Sequence, residues 1–340
     1  MASQFSSPVM LCARMLSLLL AIHALAFGAA AQQAKESGTT QQQQAGAGGP
    51  YFAPAADLQK LVDEAAQAAL ARFADKKLTR ENLAITLVDL SDPQHPTQAD
   101  FRGNERIYPA SVVKLFYLVA AHRWMEDGKL KDGEELRRAM RDMIVDSYNE
   151  ATHYVLDAVT GTTSGPELPP AEMQDWSNKR NAVNRYFAAQ GYTNINTNQK
   201  PWCEGPYGRD RIFVGPKYEN RNKLTTNATA RIMTEIATGR AVNAQRSAQM
   251  MELLKRDYAG KSEDPDDQAH GFTGPALTAG ARLWSKAGWT STTRHDAAYI
   301  ELPGGARFVL VTFTTDHANE REIIPAVARI VIAGMEKRGK

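Results

Sequence analysis

Ser111 and Lys114 stand three positions apart at the head of the apolar stretch ASVVKLFYLVAA. Residues at that spacing on a helix share one face, so the amine can lie beside the hydroxyl. A serine hydroxyl is a weak nucleophile until a neighbouring base takes its proton. A lysine whose pKa is lowered by burial and nearby cations can be that base. The start of a helix also favours developing negative charge. The chemistry so described is acyl transfer through a serine. The pattern SxxK also arises by chance, as an N-capping serine beside a surface lysine. Here the following stretch is apolar on nearly every side, so Lys114 falls where an amine needs a partner or a task.

Two other short patterns can join it. Ser147-Tyr148-Asn149 separates MRDMIVD from EATHYVLDAV and reads otherwise as a helix cap. Lys286-Ala287-Gly288 lies in RLWSKAGWT, where the glycine would let a ligand approach the backbone. Its plain alternative is a lysine on a strand edge.

Lys plus Arg number 40 and Asp plus Glu 38, so no broad field favours nucleic acid or an anionic membrane surface. A hydrophobic content of 43% over 340 residues allows a substantial core. No P-loop, Rossmann glycine pattern or GxSxG is present, and no histidines stand at HExxH spacing. Neither a metal nor a cofactor is expected. Arg14 followed by the apolar run Met15 to Phe27 and the small residues Gly28 to Ala31 reads as an export signal over 1–31. Its removal would take Cys12 and leave only Cys203, which excludes an intrachain disulfide. Residues 32–53, rich in Gln, Gly and Ala, read as a flexible leader to a domain over 54–340. The expectation is a secreted, periplasmic monomer with no stable membrane insertion after signal cleavage.

The elements that must position these residues follow from periodicity. A helix is predicted from Ala55 through Phe73, a strand over 83–90, and an extended piece around Asp100 to Ile107. Helices are predicted at Ser111 to Met125, Glu134 to Ile144, Asn149 to Val159 and Lys179 to Gln190. A long loop then spans Gly191 to Lys223. Two more helices follow, at Asn227 to Thr238 and Ala244 to Tyr258. A strand at 282–290 precedes two strands joined by Pro303-Gly304-Gly305, and a last helix runs from Asn319 to about Lys337. This order predicts an α/β (α+β) fold, an antiparallel sheet flanked by the terminal helices plus an all-helical lobe, with a cleft between sheet and lobe.

SxxK, SxN and KxG in that order, together with RDMIVDSYNEATHYVLDAVTG and SKAGWTSTTRHDAAYIELPGGARFVLVTFTT, make residues 55–340 resemble the class A β-lactamase family of penicillin-recognising serine hydrolases. The resemblance implies a β-lactamase/transpeptidase-like fold. It implies Ser111 as nucleophile, Lys114 as its activator and Ser147 as proton relay to the departing nitrogen. Asn149 would bind the substrate's side-chain amide and Lys286 would supply positive charge. Gly288 would allow close approach, and the N–H groups of Ser111 and Trp289 would form an oxyanion hole. Arg294 would pair with the substrate carboxylate.

Three departures bear on the reaction. Ser147 follows Ser111 by only 36 positions, fewer than is usual in the family. Ala287 replaces a hydroxyl that would bond the β-lactam carboxylate, for which Thr290, Ser291 or Thr292 could compensate. No ExxxN marks the deacylating glutamate. Glu204, in Pro201-Trp202-Cys203-Glu204-Gly205-Pro206, falls at the expected place but has Gly208 where Asn is expected. Glu219 is the reserve, followed by Lys223. The function implied is β-lactam opening through a Ser111 acyl-enzyme followed by hydrolysis, in the service of β-lactam catabolism and antibiotic resistance. The alternatives are a related SxxK peptidase or esterase, or a slow-turnover penicillin-binding protein.

Overall fold

The computed structural model describes residues 51–202 and 205–338. The expected signal peptide, most of the leader, Cys203 and Glu204 lie outside the described residues. The strands are β1 (Ala53–Pro54), β2 (Leu83–Asp89), β3 (Thr97–Phe101), β4 (Lys255–Arg256), β5 (Arg282–Trp289), β6 (Thr293–Glu301) and β7 (Arg307–Thr315). The helices are α1 (Ala56–Arg72), α2 (Lys114–Glu126), α3 (Glu134–Ile144), α4 (Asn149–Thr160), α5 (Pro170–Arg180), α6 (Ala182–Ala189), α7 (Gly208–Val214), α8 (Thr226–Ala237), α9 (Ala244–Leu254) and α10 (Ile323–Arg338).

The strands form one sheet in the order β1-β3-β2-β7-β6-β5-β4. All neighbours are antiparallel except β1, which runs parallel to β3. Strand alternation sends successive side chains to opposite faces. In β7, Phe308 and Leu310 join the core under α1 and α10, whereas Val309, Val311 and Phe313 join the core shared with the helical lobe. Burying each such side chain contributes roughly 1.5–3 kcal/mol. The sheet is therefore a wall between two cores, and the mixed α/β architecture expected from the sequence is the one observed.

Several boundaries differ from the sequence expectation. The extended piece before Ser111 is Thr97–Phe101 rather than 100–107, because residues 102–106 turn away through Arg102 at φ 56°. The predicted helix from Ser111 opens as a 3₁₀ turn, Ala110–Val113, before α2 begins at Lys114. Lys179 to Gln190 is not one helix: its start belongs to α5, and the chain breaks at Asn181. The 244–258 helix stops at Leu254, where β4 joins the sheet edge. Two-residue strands carry no periodicity to read, which is why β1 and β4 were not foreseen.

The long loop is real and its neck is closed. Asn196 and Lys223 exchange backbone hydrogen bonds of 2.7 and 2.9 Å. Inside the neck, Asn222 and Gln199 bond each other's backbone, and Tyr117 Oη on α2 donates to Gln199 O at 2.7 Å. A polar loop can be ordered without a core of its own when its backbone groups are satisfied this way. The short helix α7 lies within it.

Candidate active site

α2 is buried nearly all round, from Lys114 to Met125, so it runs through the lobe with its N-terminus against the sheet. Pro109 precedes the turn, and Ala110 adopts φ 46°. The 3₁₀ turn closes with the Lys114 N–H on Ser111 O, which fixes Lys114 beneath the half-exposed Ser111.

Lys114 is fully buried. Its Nζ donates to Ser147 O at 2.6 Å and Asn149 Oδ1 at 2.9 Å, and lies 3.3 Å from Ser147 Oγ. Ser147 sits at φ 59° in the turn between α3 and α4. Left-handed backbone at a non-glycine residue is unfavourable and has to be held by its surroundings. Here it directs both the carbonyl and the hydroxyl of one residue at the lysine. Asn149, the first residue of α4, supplies the third oxygen.

Lys286 arrives from β5. It is also fully buried, and its Nζ reaches Ser147 Oγ at 2.9 Å, Gln268 Oε1 at 2.5 Å and Ala287 O at 2.7 Å. Burial, then the charges of Lys114 and Arg256, push its pKa well below the ordinary lysine value.

β6 pairs with β5 along its whole length, but β4 covers only Leu283 and Trp284 on the other side. Residues 285–289 thus present an edge with no strand on it. Ser285 O accepts from Arg256 on that edge, and the Ala287 N–H donates there to Gln268 Oε1. Backbone groups alternate sides along a strand, so the Trp289 N–H, of the same parity, points out on this edge too. Gly288 fits where nothing larger would: a Cβ there would stand 2.8 Å from Pro109 O, Ser111 N and Val112 N. Ser111, Lys114, Ser147, Asn149, Lys286, Gly288 and Trp289 are thereby gathered where the sheet meets the lobe.

A family model described as the beta-lactamase enzyme family matches residues 131–334. The chain belongs to that family. Among solved structures, this beta-lactamase-family chain is similar to PBP-A, with 18% identity, 84% of this chain and 99% of that one covered, and a TM-score of 0.59. It is similar also to a beta-lactamase from Chitinophaga pinensis, at 17% identity, 83% and 99% coverage and a TM-score of 0.58. A beta-lactamase from Sphaerobacter thermophilus gives 20%, 81% and 97%, and 0.55. At such identities the likeness is one of fold. No curated protein matches the chain.

Other expected site residues of this beta-lactamase-family protein are placed differently. Arg294 is not presented to the cleft as an unpaired cation. Its side chain is buried, with Nη1 on Asp266 Oδ1 at 2.7 Å, Nη2 on Gly271 O at 2.7 Å, and the guanidinium over the Phe272 ring. Its charge is thus engaged by the loop between β4 and β5. The Ala287 methyl packs with Phe272 and Ile324, on the face of β5 opposite Lys286 and Gly288. Thr290 Oγ1 is within 3.3 Å of Thr292 Oγ1 and accepts from the Thr292 and Thr293 N–H groups, so it closes the β5–β6 turn. Glu204 lies outside the described residues. Glu219 is exposed, and its carboxylate accepts the Lys217 N–H within a turn after α7.

Three supporting residues carry no signal in the sequence. Gln268 and Arg256 tie β5 to the end of α3, through Ile144 O, Val145 O and Ser285 O. His295, opposite Gly288 in register, accepts the Thr314 N–H at Nδ1, so its Nε2 carries the proton and donates to Tyr108 O at 2.9 Å. It anchors the chain three residues before Ser111.

Proposed function

We propose that the protein opens β-lactam rings through a Ser111 acyl-enzyme and then hydrolyses that ester. The observation that supports this reading most is Ser147 Oγ standing within 3.3 Å of Lys114 Nζ, at the end of the turn that bears Ser111, and 2.9 Å from Lys286 Nζ. Lys114, as the neutral amine, takes the Ser111 proton while Oγ attacks the lactam carbonyl. Negative charge develops on the carbonyl oxygen between the Ser111 and Trp289 N–H groups. The C–N bond breaks as Ser147 hands its hydroxyl proton to the departing nitrogen, and Ser147 is reprotonated from Lys114. Water then cleaves the ester, returning Ser111 and releasing the ring-opened acid. We assign the water-activating carboxylate to Glu204, from its position in the sequence between Asn196 and Lys223.

Export to the periplasm fits this substrate class and the apolar run Met15 to Phe27; among the described residues no helix is long and apolar enough to cross a membrane. An antibiotic-resistance role follows from the same reading. A second reading, a serine hydrolase acting on another acyl compound or a slowly released acyl-enzyme, is favoured by the pairing of Arg294 with Asp266, which removes an expected grip on the β-lactam carboxylate.

The test is a time course of purified protein with a chromogenic cephalosporin, followed by absorbance and intact mass. Turnover that Ser111→Ala abolishes is expected. A stoichiometric adduct that persists would replace hydrolysis by the second reading, and no adduct at all would overturn both β-lactam readings.

A further inference from the structure

The loop between β4 and β5 is polar and has no regular structure beyond a single 3₁₀ turn at Gly274–Ala276, yet it puts one side chain into the heart of the site. Gln268 is buried, and its amide is used at both ends. Oε1 accepts from Lys286 Nζ at 2.5 Å and from the Ala287 N–H at 3.2 Å. Nε2 donates to Val145 O at 2.8 Å and Ile144 O at 3.1 Å. The first pair belongs to the sheet. The second belongs to the end of α3, two residues before Ser147.

From this geometry we infer that Gln268 is a positioning residue for the reaction, setting the reach of Lys286 to Ser147 Oγ across the seam between sheet and lobe. The inference rests on the Ser111 acylation reading for its consequence, though not for its geometry. Arg256 spans the same seam, from Ser285 O to Ile144 O, but touches neither Lys286 nor Ser147. Gln268 is the side chain that grips the amine itself. Its chemistry matters as much as its shape. The oxygens contacting Lys286 Nζ, from Ser147, Gln268 and Ala287, are all uncharged. The charged groups acting on it are Lys114 and Arg256, which oppose the ammonium, and Asp296, which favours it. An amide oxygen orients the amine without holding it as the ammonium, as a carboxylate would. The amine is thus left able to exchange a proton with Ser147. The amide both accepts from Lys286 and donates to two carbonyls, so glutamate removes only the donating half of the grip and leucine removes both halves.

Three variants separate these halves. Gln268→Leu, or Gln268→Met should the first fail to fold, removes all four hydrogen bonds. Acylation by a penicillin is expected to slow about ten- to a hundredfold, with non-covalent affinity little changed. Gln268→Glu keeps the acceptor for Lys286 but makes it anionic, so the limb of the pH–acylation profile that reports Lys286 moves to higher pH. The Lys286 ¹⁵Nζ resonance, titrated without substrate, moves its midpoint the same way. Folded Leu or Met variants that acylate at the wild-type rate, together with a Glu variant whose ¹⁵Nζ titration superimposes on wild type, would overturn the inference. Should wild type itself fail to react with β-lactams, the proposed function falls, and the ¹⁵Nζ comparison still decides the role of Gln268.

Discussion

Lys286 Nζ, carried on the sheet, lies 2.9 Å from Ser147 Oγ, carried on the helical lobe. With Lys114 Nζ 3.3 Å from the same oxygen, two buried amines share one hydroxyl. Two ammonium groups so placed repel each other, which is one cause of the lowered Lys286 pKa. Ser147→Ala therefore loses the proton path to the leaving nitrogen. Acylation by a cephalosporin, followed by stopped-flow absorbance, is expected to fall about 10²–10⁴-fold, while the thermal midpoint holds or rises. A loss below threefold would show that Ser147 is not the relay.

The close approach of Gly288 to the nucleophile turn yields a second prediction. A methyl at 288 would sit 2.8 Å from three backbone atoms of residues 109–112, none of which can swing aside as a side chain could. Gly288→Ala is expected to cost about 1–3 kcal/mol in urea unfolding. It should also depress acylation more than Ala287→Gly, whose site is lined by Phe272 and Ile324. Equal effects of the two would mean that β5 and the turn can separate freely.

SxxK, SxN and KxG were legible because each is local and its chemistry is written in residue type and spacing. The sheet-and-lobe architecture was legible because the long strands and helices have clear periods. Other parts of the site depend on meetings between distant segments. Gln268 and Asp266 come from irregular chain and Arg256 from the two-residue β4, none with a period to read, and their meaning appears only when Ile144, Ser285 and Arg294 are brought to them. Arg294 shows the limit well: its position on β6 could be matched, but the carboxylate that neutralises it lies 28 residues earlier, in a loop whose path no spacing predicts. The φ values of Ala110 and Ser147 are likewise imposed by packing, since neither residue type asks for a left-handed backbone.

Acid should destabilise this fold through two histidines. Burial holds His295 down to about 4, and burial with the Arg246 charge does the same for His122. Both are therefore neutral in the folded protein where an unfolded histidine, near 6.5, already binds a proton. Their contribution is present above about pH 6.5 and is lost as pH falls through 4, by about 3 kcal/mol for each. Urea midpoints measured from pH 7 to pH 4 should decline accordingly, and His122→Gln should remove about half of what His122 and His295 contribute together. An unchanged slope in that variant would assign the decline to other groups.

Arg180 anchors the long loop from below. Fully buried, it meets Asp157 at 3.0 Å and Asp210 of α7 at 3.2 Å, while Lys200 reaches Asp157 at 2.6 Å. Arg180→Met takes this partner from the buried Asp210 and leaves the partly buried Asp157 with Lys200 alone, at an expected cost of about 3 kcal/mol. Limited proteolysis should then cut within 197–214 before any other described segment. Cleavage first in the 259–281 loop would show that Arg180 does not hold the long loop in place.

Arg294 supplies the prediction that separates its sequence reading from its structural one. Were it the grip on a substrate carboxylate, Arg294→Ala would raise KM for a penicillin strongly with little change in stability. Its side chain instead bridges Asp266, Gly271 O and the Phe272 ring, and Asp266 also takes Arg321. Removing the guanidinium should free the loop that carries Gln268. The expected outcome is a loss of about 2–4 kcal/mol of stability, as for a broken buried ion pair discounted for its partly exposed partner. It should be accompanied by a fall in kcat larger than the rise in KM. Asp266→Asn, which leaves Arg294 in place but removes its counter-charge, should share the loss of stability if the loop is what matters. If that variant is instead as stable as wild type and binds penicillin more tightly, Arg294 is a substrate ligand held in reserve by Asp266.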